Sequence, residues 1–158
     1  MSQGPVGAIR RTVHEAVHIS FKHITVIKGD GFDLNLNSKF LFSDHDIPGY
    51  EFDILVGEES AGTFTVLIEK NFTNIATLGN VGIAIKPKFF GQQLPSKVAL
   101  ASLSLFKAHG VDKILITFDK DNDAIEKACE ELSAEYLDTL TAAGKKRYVL
   151  ETGHHTPS

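Results

Sequence analysis

Residues 79–137 read GNVGIAIKPKFFGQQLPSKVALASLSLFKAHGVDKILITFDKDNDAIEKACEELSAEYL, and the hydrophobic period changes twice inside this stretch. Asn80 to Ile85 alternates as a strand and is ended by Lys86-Pro87. Ser96 to His109 then places Val98, Ala101, Leu105 and Phe106 at helical spacing, with Leu100 and Leu103 widening the stripe. Gly110 suits the C-terminal stop of that helix. Lys113 to Phe118 is a short apolar run of the kind that forms a buried strand. Asn122 to Leu132 reads as a second helix, with Ile125, Cys129 and Leu132 on one side. A strand–helix–strand unit predicts a parallel strand pair joined by a right-handed crossover.

Upstream, Tyr50, Phe52, Ile54 and Val56 share one face of a strand, and Phe64, Val66 and Ile68 do the same within Thr63 to Glu69. With the polar turn Gly57 to Gly62 between them, these two strands predict a hairpin. Val17 to Ile27 is β-branched and aromatic and reads as a further strand, stopped by Gly29-Asp30-Gly31. Phe32 to Pro48 reads as loops around the apolar piece Phe40 to Phe42, and Asn71 to Asn74 as a loop. Downstream, Glu135 to Leu140 and Arg147 to Glu151 form a closing strand pair around Gly144. The expected fold class is α/β (α+β): one domain over residues 9–152, a mixed, mostly antiparallel sheet flanked by helices, with a central parallel strand pair. Residues 1–8 and 153–158 are expected to be flexible tails.

The ordered set of motifs resembles the core of GNAT acyl-CoA-dependent N-acetyltransferases. Such proteins show G-x-I-G-Y-x-I-x-P, a glycine-rich loop, a helix, a V-L-I-T strand and an Asn-led helix. Gly79, Val81, Gly82, Ile83, Ile85 and Pro87 match the first strand; Ile114 to Thr117 match the second; Asp119 to Asn122 match the D-K-D-N that follows. Arg147-Tyr148 resembles the R-Y ending of one subgroup, so the similarity runs from Tyr50 to Glu151.

The resemblance implies a fold in which loop N–H groups and a helix N-terminus bind the diphosphate of acetyl-CoA or another acyl-CoA. The preceding strand offers backbone groups to the pantetheine arm, as if to an added strand. It implies an acyltransferase that moves an acetyl or acyl group to an amine on a small molecule or protein, and a homodimer as the expected assembly. Carried over residue by residue, the cofactor-binding positions are Ile83, Ala84, Ile85, Phe90, Gly91, Gln92, Gln93, Leu94, Ser96 and Asn122. Cys129 stands where many members carry a tyrosine acid, and Glu69 is the candidate base. Cys129 also reads as a small buried core residue, and Glu69 as a solvated one.

The loop departs from the family pattern of Arg or Gln, two residues, Gly, one residue, then Gly or Ala. This chain reads Phe90-Gly91-Gln92-Gln93-Leu94-Pro95. Phe90 takes the cationic or polar place, and Gln93 takes a glycine's. Pro95 has no N–H to donate, although it suits a helix start. These departures support a rival reading in which the fold persists as an inactive binding or structural module.

Other features carry less. His14-Glu15-Ala16-Val17-His18 matches the H-E-x-x-H zinc pattern. His23 falls one residue short of the expected third ligand, and a β-rich segment begins at once, so no metal is expected. His154-His155 belongs to the tail. Lys145-Lys146-Arg147 is a small basic cluster that reads as structural or as a contact to an anionic ligand. The net charge of −4 gives no basic excess for nucleic acid. No apolar run is long enough for a bilayer, and the single Cys129 excludes an intrachain disulfide. A cytoplasmic protein is expected.

Overall fold

A computed structural model of the chain describes residues 10–12 and 21–153. The H-E-x-x-H pattern at His14 to His18, the pair His154-His155 and the expected tails, apart from Gly153, lie outside them. The elements run β1 (Arg10–Thr12), β2 (Val26–Lys28), β3 (Asp33–Phe42), β4 (Ile47–Val56), β5 (Glu59–Leu67), β6 (Val81–Ile85), α1 (Leu94–Ala108), β7 (Lys113–Asp119), α2 (Asp123–Glu131), β8 (Glu135–Leu140) and β9 (Lys145–Glu151). Short 3-10 turns occupy Phe72–Ile75 and Pro87–Phe89.

The fold class stands as expected, mixed and mostly antiparallel, but the single sheet is divided in two. One sheet orders as β1-β3-β4-β5-β6, with β2 also pairing β3; the other orders as β7-β9-β8. Every ladder among the described residues is antiparallel. The strands expected to run as a parallel pair, β6 and β7, share no ladder and meet at one isolated bridge, Gly79↔Ile116, of antiparallel pattern. Gly79 explains why they part there. Its φ is +74°, and a Cβ would lie 2.7 Å from the Leu115 carbonyl oxygen and 2.9 Å from the Thr117 nitrogen. The chain touches β7 only where glycine lets it turn, then leaves.

Three other differences have local causes. The stretch read as loops contains β3, ten residues long. A register shift between Leu36 and Ser38 resets the alternation, so two half-strands with opposite phase hide one strand. Of the expected strand Val17 to Ile27, Val26 and Ile27 pair with β3 and Lys28 extends the pairing, while the Leu36 N–H of β3 reaches the Thr25 carbonyl at 2.8 Å. The β4–β5 turn is shorter than expected, since a second register shift lies between Ile54 and Leu55 and carries Glu59–Ala61 into the strand.

The main core gathers Leu34, Tyr50, Phe52, Phe64 and Val66 from the first sheet, Val98 and Phe106 from α1, and Ile114, Ile116 and Phe118 from β7. Leu115 points to the other face, against Phe40, Phe42, Ile47, Leu67 and Ile75. Period-two alternation along β7 thus binds both cores with one strand. No helix among the described residues is long and apolar enough to cross a membrane.

Candidate functional site

The gap between β6 and β7 is a cleft. Its apical stretch, of about 260 Å³, is lined by Leu78, Val81, Gly82 and Ile83 on one wall and by Ile116, Thr117 and Phe118 on the other, with Cys129 among the α2 residues. Its outer stretch, of about 300 Å³, is lined by Ile83, Ile85, Phe89, Phe90, Gly91 and Ala124. The two share Ile83, Pro95, Asn122 and Ile125, so they are continuous.

At the apex, Asn80 replaces the missing ladder. This fully buried side chain donates from Nδ2 to the carbonyls of Leu67 and Glu69, both at 2.9 Å, and its Oδ1 accepts from the Leu115 N–H at 2.7 Å. Its own N–H donates to the Leu115 carbonyl at 2.7 Å. One amide therefore pins β5, the start of β6 and β7. The sequence reading placed Asn80 in a strand without a role; a polar residue entering an apolar run beside glycine was the available signal.

Below the apex, one edge of β6 is paired by no strand among the described residues. Its register with β5 runs Gly62↔Ile85 to Val66↔Val81, while Leu67 N–H donates to Asn80 and Lys86 N–H to Ala61. Even-numbered residues thus spend their backbone groups on β5, and Val81, Ile83 and Ile85 turn theirs toward the cleft. Of the three positions carried over on this strand, Ile83 and Ile85 are brought to the site. Ala84 is exposed, lines neither stretch and uses its N–H and C=O within the sheet.

The loop between β6 and α1 sits at the outer end. Gly91 has φ +86° and Gln93 φ +58°, so the second left-handed position falls on a residue with a Cβ, at the N-cap of α1. Pro95 is the second helical residue. Leu94 and Ser96 are buried; Ser96 Oγ donates to the Gln93 carbonyl at 3.2 Å. Among the described residues, the N–H groups of Gly91, Gln92, Gln93, Leu94 and Ser96 donate to no backbone carbonyl. The Lys97 N–H is taken by the Gln93 carbonyl. Phe90 stands 66% exposed at the mouth. Gln93 Nε2 donates to a Glu131 carboxylate oxygen at 3.2 Å. Asn122 reaches both stretches while its Oδ1 caps α2 through the Ile125 N–H at 3.2 Å.

The candidate acid and base fare differently. Cys129 lines the apical stretch but is 1% exposed. Burial, with the nearby charges of Glu126 and Glu130, pushes its thiol up to about 12. It stays protonated at neutral pH. Passing that proton to a leaving thiolate of ordinary pKa ~8.5 would be uphill by roughly 5 kcal/mol. Glu69 lines neither stretch. Its carboxylate accepts from the Asn71 N–H at 2.9 Å and Asn74 Nδ2 at 3.2 Å, holding the turn before β6. Besides Cys129, the titratable lining residue among those described is Lys145, ion-paired with Asp119 at 2.6 Å. No cluster of His, Cys, Asp or Glu among the described residues could hold a metal.

No protein-family model matches the chain, and no curated protein matches it in sequence. Solved structures do match. The ribosomal L7/L12 alpha-N-protein acetyltransferase RimL in complex with coenzyme A aligns with TM-score 0.55 and 18% identity, over 65% of this chain and 62% of its own. An acetyltransferase from Salmonella typhimurium that modifies the N-terminal serine of L7/L12 aligns at 0.54 and 18%, over 65% and 63%. The microcin C7 self-immunity acetyltransferase MccE, bound to acetyl-CoA and AMP, aligns at 0.51 and 13%, over 65% and 61%. Each match spans less than two thirds of the neighbour's length, and at these identities the likeness is one of fold.

Proposed function

We propose, from the GNAT acetyltransferase fold that this chain carries, that it transfers an acetyl or other acyl group from a thioester donor of the acyl-CoA type to an amine. The observation that supports this most is the position of the loop 86–97, at the mouth of a cleft whose one wall is a strand with a free backbone edge. The pantetheine amides of the donor lie along Val81, Ile83 and Ile85 as an added strand would. The acyl carbonyl reaches the apex, where a strand N–H stabilises the oxyanion. The amine lone pair attacks the carbonyl carbon, the C–N bond forms, and the C–S bond breaks as the thiolate leaves. Proximity supplies much of the rate.

Among the described residues, neither cleft stretch is lined by a carboxylate or an imidazole. The acceptor therefore arrives as the neutral amine and gives its proton to water after attack. An α-amino group, with pKa ~7.7–8.0, meets that condition far better than a lysine at ~10.4. RimL's description as an alpha-N-protein acetyltransferase agrees with this acceptor class.

Calorimetric titration with acetyl-CoA and longer acyl-CoAs, followed by thiol release on adding an amine, tests the reading. Binding and release support it. Binding without release under any acceptor favours the second reading, a ligand-binding module without turnover, which the left-handed Gln93 and the proline at the second helical position support.

A further inference from the structure

We infer that the cleft recognises its donor by the acyl-pantetheine arm alone, so that the nucleotide diphosphate of coenzyme A adds no affinity. This rests on the donor reading above and narrows it to pantetheine thioesters whatever carries them. The arm's part of the site is complete. The cleft is continuous from apex to loop, apolar over most of its lining, and edged by backbone groups of Val81, Ile83 and Ile85 that suit an amide chain.

The diphosphate's part is not. A diphosphate is held by convergent N–H groups and cations, and is repelled by carboxylates. At the outer end the phenyl ring of Phe90 is exposed, beside the exposed Gly91, Gln92 and Gln93. Pro95 removes one N–H from the first turn of α1. Gln93 carries a side chain where close approach of phosphate needs none, and that side chain holds the Glu131 carboxylate beside the N-cap. Asp121 and Asp123, on either side of Asn122 in the chain, are both exposed and, like Lys86 and Lys97, line neither stretch. Of the nearby cations, Lys88 is paired with Glu59 at 2.8 Å, and Lys86 and Lys97 line neither stretch. Among the described residues, the loop N–H groups are thus left without a lining cation beside them and with the Glu131 carboxylate bonded to Gln93.

The full chain is titrated with acetyl-CoA, S-acetyl-pantetheine, 3′,5′-ADP and an acyl carrier protein bearing an acetylated arm. The expected result is dissociation constants for acetyl-CoA and S-acetyl-pantetheine within about threefold of each other, with no competition from 3′,5′-ADP. A carrier-borne arm that binds more tightly than the free arm also supports the inference and assigns the source. Acetyl-CoA binding about tenfold or more tightly than S-acetyl-pantetheine overturns it while leaving the donor reading intact. Failure of every thioester to bind sinks both. Phe90→Arg, which puts a cation at the mouth, is expected to raise the ratio of acetyl-CoA to S-acetyl-pantetheine affinity about tenfold, and an unchanged ratio would show that the diphosphate does not reach this end of the cleft. A wild-type chain already showing a preference of that size counts against the inference.

Discussion

Asn80 and Leu115 are joined twice at 2.7 Å, once from the Asn80 N–H to the Leu115 carbonyl and once from the Leu115 N–H to Asn80 Oδ1. Two sheets that share one bridge among the described residues are fastened there by a single buried residue. Asn80→Ala strands the Leu115 N–H and the carbonyls of Leu67 and Glu69. Each buried orphan costs about 1–3 kcal/mol, and relaxation recovers part of the sum. The expected loss is about 3 kcal/mol or more, read as a lower urea midpoint. A loss under about 1 kcal/mol would show that the apex is not held this way.

Gln93 pays for its place in the loop: a residue with a Cβ in the left-handed region costs about 1–2 kcal/mol. Gln93→Gly relieves that strain and gives back ~0.5–1 kcal/mol in unfolded-state entropy. Its hydrogen bond to Glu131 is between exposed groups and offsets little. The variant is expected to be more stable by about 0.5–1 kcal/mol, seen as a rise of a few degrees in Tm. A destabilised variant would mean that the Gln93 side chain fixes the loop through contacts rather than enduring it.

How much of this was legible depended on whether a signal lay in the pattern of residues or in their partners. The helix and strand after Pro87 followed from period alone, because α1 and β7 are apolar on the faces that pack. The left-handed strain at residue 93 was legible as a glycine position filled by glutamine. The division into two sheets was not, because it turns on one glycine whose missing Cβ lets Leu115 and Thr117 approach. Strand β3 was hidden by its bulge. The free edge of β6 shows why Ile83 and Ile85 reach the cleft and Ala84 does not. That distinction requires knowing which residues β5 pairs, and no single strand states it. Glu69 could not be separated from a solvated carboxylate until Asn71 and Asn74 were seen to use it.

His109 closes α1, and its Nε2 shares a hydrogen bond with the Tyr50 hydroxyl at 2.7 Å, while that hydroxyl also accepts the Lys22 N–H at 2.8 Å. Burial, with the charge of Lys22, lowers the imidazole pKa below its usual 6.5. The unfolded chain then binds the proton first. Stability is fully present above about pH 6.5 and falls as the solution is acidified through that value. His109→Gln, which keeps an acceptor without the titration, is expected to flatten the Tm profile between about pH 7 and pH 5. An unchanged slope would assign the acid sensitivity to other groups.

Cys129 and Tyr148 lower stability at alkaline pH, beside Tyr50, whose hydroxyl pKa burial also raises. Burial is the first cause in the first two, pushing each group up to about 12, with the Glu126 carboxylate hydrogen-bonded to the Tyr148 hydroxyl at 3.1 Å. The unfolded chain loses these protons at ordinary pKa values, so above them the folded chain holds more protons than the unfolded one. Stability therefore declines from about pH 9 upward, toward the folded values. Cys129→Ala removes one of these groups and is expected to make that decline shallower, at a cost of about 1 kcal/mol at neutral pH from the small void. The same variant separates packing from catalysis. If the thiol only fills the wall of the cleft, acyl transfer persists within about threefold once stability is matched. A drop of about a hundredfold, the usual size for loss of a proton donor, would restore Cys129 as the acid.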